Sequence, residues 1–244
     1  MSSDNAQPKD RRQQTRFAVS DDCRLRASIL LRSSDPATAS KEWSGTLVNV
    51  SAAGAYIQIS LGAVAYKGDS CVLKLAHGTV KTEVRGTLAH YVCSARHSVC
   101  GVSFDFSFAG EDKAYQPIFK AIVASTTLKA GATGFEPGRY REEYDGADDA
   151  KLVVWRENKP GGPVVAFDYR MVRYGAVLAA AGPDMFKNKG EVRLKALPGK
   201  GVDSSAPLTP AQEAEARWEF SLAASNLPTT IAPDIRKLLR LVST

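Results

Sequence analysis

Arg12 and Arg16 stand four residues apart, preceded by Arg11, in a polar stretch just ahead of the first strand-like run; Asn49, Ser51 and Gly54 follow at a turn between two alternating segments. Arginine suits planar, anionic or purine-edged ligands. Its guanidinium fork pairs with phosphate oxygens or with the O6 and N7 edge of guanine, and its plane stacks on bases. Asn49 carries both a donor and an acceptor, and Ser51 a compact hydroxyl. The two alternate with Val48 and Val50, so they are expected on one strand face, where they would meet one ligand edge together. Gly54 suits a positive φ or a close approach of ligand to backbone, either of which a Cβ opposes.

The Arg-x-x-x-Arg pattern, with Asn-x-Ser-x-x-Gly beginning 33 residues after Arg16, resembles the signature of the PilZ domain family, small β-barrels that bind the second messenger cyclic di-GMP. The likeness covers roughly Arg11 to Lys129 and does not reach the second half of the chain. It implies that Arg12 and Arg16 come from a flexible segment that folds over the ligand as a clamp, with Asn49, Ser51 and Gly54 as the opposite wall. It also implies that the neighbourhood of Arg11 decides between one ligand molecule and a stacked pair. An added cation there offsets the charge of a second molecule, so a pair is expected. The resemblance further implies a non-enzymatic receptor, without cofactor, that signals through contact with an unidentified protein partner. Each half of the pattern also has a plain meaning, as a solvated basic tail and as a hairpin turn. Their order and separation, ahead of barrel-like strands, join them. The alternatives are a nucleic-acid-binding barrel, messenger-controlled or not, and a PilZ-like scaffold without ligand.

Other chemistry is weakly signalled. His90, Cys93, His97 and Cys100 have spacings that suit zinc on paper. His90 and Cys93 are three apart on one strand, however, and so face opposite sides, which favours hairpin and core residues without metal. Glu142, Glu143, Asp145, Asp148 and Asp149 form an acidic cluster that reads as a solvated loop. The chain has no nucleophile elbow, phosphate loop, zinc-protease helix or dinucleotide fingerprint, so no enzyme is expected.

The elements that must position these residues are legible as periods. The 244 residues are 44% hydrophobic and 24% charged with net charge +6, an ordinary soluble composition that favours anionic partners. No apolar run approaches the ~20 residues of a membrane helix, and the first eight residues lack signal-peptide character, so a cytoplasmic protein without membrane insertion is expected. Residues 1–15 read as a mobile arm. Strand patterns over 23–31, 45–49, 55–59, 70–76, 79–92 and 99–106 predict an antiparallel barrel or sandwich, which the PilZ resemblance implies is a six-stranded antiparallel barrel, and a loop is expected over 33–40. A helical stripe over 111–129 is expected to cap the barrel, with its regular part starting near Gln116 so that Pro117 falls in the first turn. Residues 129–138 read as a linker. This divides the chain into a PilZ-like barrel over 1–129 and a smaller α+β domain over 139–244, a mainly β, α+β protein overall. Strands in the second half are expected at 151–156, 164–173, 176–181 and 191–196. Helices follow from Thr209, with an N-cap, proline and glutamine signal, and over 233–242.

Overall fold

The chain was described from a computed structural model, which covers residues 14–32, 40–107, 110–173, 176–182, 193–197 and 209–243. Arg11, Arg12, most of the predicted arm and the loop over 33–39 lie outside the described residues.

Six strands close into an antiparallel barrel: β2 (Arg26–Arg32), β3 (Lys41–Ser51), β4 (Gly54–Ile59), β5 (Ser70–His77), β6 (Val80–Cys93) and β7 (Ser98–Phe104). The circuit runs β3, β2, β5, β6, β7, β4 and back to β3. A two-residue strand, β1 (Phe17–Ala18), pairs with the end of β3 through Phe17 opposite Val50 and Ala18 opposite Asn49. The predicted barrel is thus formed, with one strand added. Ile29, Leu31, Ile57, Leu73 and Val84 have no exposed surface and fill the interior, as the inward half of a period-two pattern should.

The period breaks twice, and both breaks matter. In β3 the inward positions Trp43 and Leu47 are followed by Val50, because Val48 is an extra residue between Leu47, opposite Ile57, and Asn49, opposite Tyr56. In β6 the inward positions Val84 and Leu88 are followed by half-buried Tyr91, because Ala89 is extra between Leu88, opposite Val102, and His90, opposite Gly101. Each is a β-bulge, which re-aims the side chains beyond it.

Helix α1 (Glu111–Thr126) carries Tyr115, Ile118 and Ile122 into the barrel core. It starts at Glu111 rather than near Gln116, with Pro117 in its interior. Burial of Tyr115 and Ile118 on either side of the proline, and Glu111 and Asp112 at the positive helix end, offset the hydrogen bond that Pro117 cannot make. The predicted linker is strand β8 (Lys129–Glu136), paired with β9 (Arg139–Asp145). Its Gly131 is exposed, and a Cβ there would meet only the movable end of the Asp145 side chain. These strands continue into β10 (Lys151–Glu157), β11 (Val164–Arg173), β12 (Ala176–Gly182) and β13 (Arg193–Leu197), a six-stranded antiparallel sheet.

Two helices complete the fold. α2 (Pro210–Ser225) begins with the predicted capping box between Thr209 and Gln212, and α3 (Pro233–Val242) buries Ile235 and Leu239. The barrel and the second sheet have separate cores, and α1 and α2 contribute to both: Ile118 and Leu222 to the first, Ala124 and Phe220 to the second. Of the acidic residues predicted as a solvated loop, Glu142 and Glu143 lie on β9 and are held by cations. Glu142 accepts from Arg156 Nε at 2.8 Å and Glu143 from Lys151 at 2.5 Å. Ionic pairing brings these carboxylates into a strand that composition alone assigns to solvent.

Candidate functional site

The two bulges place a row of residues across the outer face of the barrel: Ala18 beside Asn49, Asn49 beside Tyr56, Tyr56 beside Gly101, and Gly101 beside His90. An open cleft of about 400 Å³ lies over this row, lined by Arg16, Asn49, Tyr56, Ala89, His90 and Gly101. Arg16 enters it from the residue before β1. Its Nη1 donates to Asn49 Oδ1 at 3.2 Å, and its Cζ lies 6.0 Å from the centre of the Tyr56 ring. Gln14, between the two arginines of the sequence pattern, accepts a 3.0 Å hydrogen bond from the Ala53 amide. Residues 14–16 therefore lie along the β3–β4 turn, with Gln14 at the turn and Arg16 at the cleft.

Arg16 and Asn49 are thus brought together, and the other predicted residues of the turn are not. Ser51 is only 5% exposed and donates to the Gly54 carbonyl at 3.3 Å, while its own carbonyl accepts from Tyr115 Oη at 2.8 Å. The register runs unbroken from Asn49 to Ser51, so the two keep one strand phase as expected, but Ser51 is buried where Tyr115 of α1 meets the end of the strand, and only Asn49 is accessible. Gly54 does not have a positive φ. It is needed because a Cβ there would stand 2.5 Å from the Val102 carbonyl of β7. Its close approach is to the neighbouring strand rather than to the cleft.

Tyr56, His90 and Gly101 were not singled out by sequence reasoning as parts of this cleft. The signal lay in the broken alternation, where the inward series 43, 45, 47 jumps to 50 and the series 84, 86, 88 jumps to 91, and in a glycine inside a strand, which marks a close approach.

The remaining sequence candidates disperse. Cys100 is buried, Cys93 is exposed, and His90 turns toward Tyr56. Burial pushes the thiols of Cys71 and Cys100 up to about 12, which leaves them protonated and unreactive at neutral pH. Among the described residues no group of three or more His, Cys, Asp or Glu side chains converges as a metal site. No helix among them is long and apolar enough to cross a membrane.

A network of contacts leads away from the cleft along the chain. Just past β1, the Ser20 amide donates to Asn226 Oδ1 at 2.7 Å, and the Arg24 amide donates to Ser225 Oγ at 3.3 Å. Between them, Asp22 accepts from Arg240 of α3 at 2.5 Å and lies 3.7 Å from Arg236. Thr126, at the end of α1, donates to the Ala18 carbonyl at 3.1 Å.

Comparison with protein-family models and with curated proteins finds no match for this chain.

Proposed function

We propose that the chain is a non-enzymatic cyclic di-GMP receptor of PilZ type, with the nucleotide bound in the cleft beside β1 and gripped by Arg16 together with Arg12 from the preceding arm. The observation that carries this reading is the 3.2 Å hydrogen bond from Arg16 to Asn49, which unites the two halves of the sequence pattern at one open cleft. The pair is exposed, so in water it is worth no more than about 1 kcal/mol and is readily exchanged for a ligand. A phosphate or a guanine edge offers the same guanidinium a stronger, bidentate partner. Asn49, once released, has an amide donor and acceptor to present to the other edge of the ligand.

Ser51 and Gly54 act in this account through the fold. They hold the β3–β4 turn beneath Tyr115, and that turn carries the Ala53 amide on which Gln14 of the arm rests. Binding fixes the arm, the arm is continuous with β1, and the stretch after β1 is fastened to Asn226 and to α3. The messenger thereby biases how firmly α3 is held, and a protein partner reads the result. This switch requires only that ligand favour the docked arm over the free one.

The test is calorimetric titration of the chain with cyclic di-GMP, repeated with Arg12→Ala and Arg16→Ala. Each substitution should weaken binding by at least ~2 kcal/mol, the scale of a charged hydrogen bond left unmade.

A further inference from the structure

We infer that Tyr56 and His90 are the base-stacking residues of the cleft, taking a guanine of cyclic di-GMP flat against their rings above Gly101, an inference that rests on the nucleotide reading just given. The three residues are side by side on adjacent strands, since Gly101 of β7 pairs with Tyr56 of β4 on one side and with His90 of β6 on the other. The empty middle position lets the outer rings lean toward one another. Their planes are within 17° of parallel and their centroids 6.5 Å apart. A Cβ at position 101 would lie 3.2 Å from His90 Cβ and 3.7 Å from Tyr56 Cδ2, so a larger side chain would fill the room that the rings overlook.

Neither ring belongs to the barrel core. His90 reaches the outer face only because the bulge at Ala89 turns it there, where it is exposed. A cross-strand aromatic pair that merely covers a glycine stabilises a sheet. This pair instead lines an open cleft whose third wall is a guanidinium 6.0 Å from the Tyr56 ring centre. Every nucleobase has two π-faces, so a guanine on Tyr56 meets the ring below and Arg16 above. Arg16 then contributes to base recognition as well as to phosphate binding, and selectivity for a purine dinucleotide over simple phosphates resides in Tyr56 and His90.

The experiment is calorimetric titration of the full chain with cyclic di-GMP for the wild type, Tyr56→Phe, Tyr56→Ala and His90→Ala, with a melting curve for each. Tyr56→Phe should bind within about two-fold of wild type, and each alanine variant should bind roughly ten- to a hundred-fold more weakly while melting near the wild-type temperature. His90→Ala, at an exposed position, remains readable even if Tyr56→Ala does not fold. Wild-type affinity in both folded alanine variants overturns the stacking role and leaves the receptor reading standing. A wild type that ignores the dinucleotide overturns both.

Discussion

Asp22 accepts a hydrogen bond from Arg240 Nη2 at 2.5 Å although 218 residues separate them in sequence. Asp22 lies shortly after β1, and Arg240 lies in the last turn of α3. The pair joins the stretch between β1 and β2 to the chain's last helix. Arg240→Ala should change stability by no more than about 1 kcal/mol, because Asp22 is half exposed and such pairs are worth little. It should leave cyclic di-GMP affinity near wild type yet abolish the ligand-dependent change in hydrogen exchange over α3. Persistence of that change in the variant would remove the latch from the account.

Ser51 and Gly54 should affect binding through the barrel rather than through contact. Tyr115→Phe deletes the donor to the buried Ser51 carbonyl and is expected to cost about 1–3 kcal/mol in denaturant unfolding. Gly54→Ala places a methyl 2.5 Å from the Val102 carbonyl and should cost a similar amount, roughly 1–3 kcal/mol. A Gly54→Ala protein of wild-type stability that no longer binds nucleotide would return Gly54 to the ligand wall.

Arg156 is a buried cation of the second sheet. It donates to Glu142 at 2.8 Å, to Asp234 of α3 at 2.5 and 3.3 Å, and to the Gly162 carbonyl at 2.8 Å. Arg156→Ala should destabilise by about 2–4 kcal/mol, below the full cost of breaking a buried pair because Asp234 is half exposed. Its hydrogen bond to Arg156 holds the Asp234 carboxyl below the usual carboxylate range. A carboxyl lowered on folding adds stability above its unfolded pKa and loses it as pH falls through the folded one. The contribution of Asp234 to the unfolding free energy should therefore be constant from about pH 7 to about pH 5 and fall below about pH 4. The fall should be shallower in Arg156→Met, and equal slopes in the two proteins would contradict this origin.

The barrel was legible in the sequence because its strands bury one face, and alternation reports that directly. Helix α2 was legible because its capping box is a local chemical signal. Strands β8 and β9 escaped because Gly131 and Gly134 look like linker residues, and because the carboxylates of β9 find their cations on other strands, at Lys151 and Arg156. Arg16 and Asn49 were legible as types at a spacing. The outward turn of Asn49 and the arrival of His90 in the cleft depend on bulges at Val48 and Ala89, and the burial of Ser51 depends on Tyr115, 64 residues away in sequence. A single inserted residue in each strand reverses which face every later side chain occupies, and strict alternation does not forecast it.

The central claim is that the Arg16 guanidinium exchanges Asn49 for a nucleotide. Its most direct measurement is the calorimetric titration of wild type and Arg16→Ala with cyclic di-GMP at matched ionic strength. Saturable binding by the wild type, weakened by at least ~2 kcal/mol in the variant, is the expected result. A wild-type protein that gives no binding heat at near-millimolar nucleotide, or an Arg16→Ala protein that binds as tightly as wild type, contradicts it.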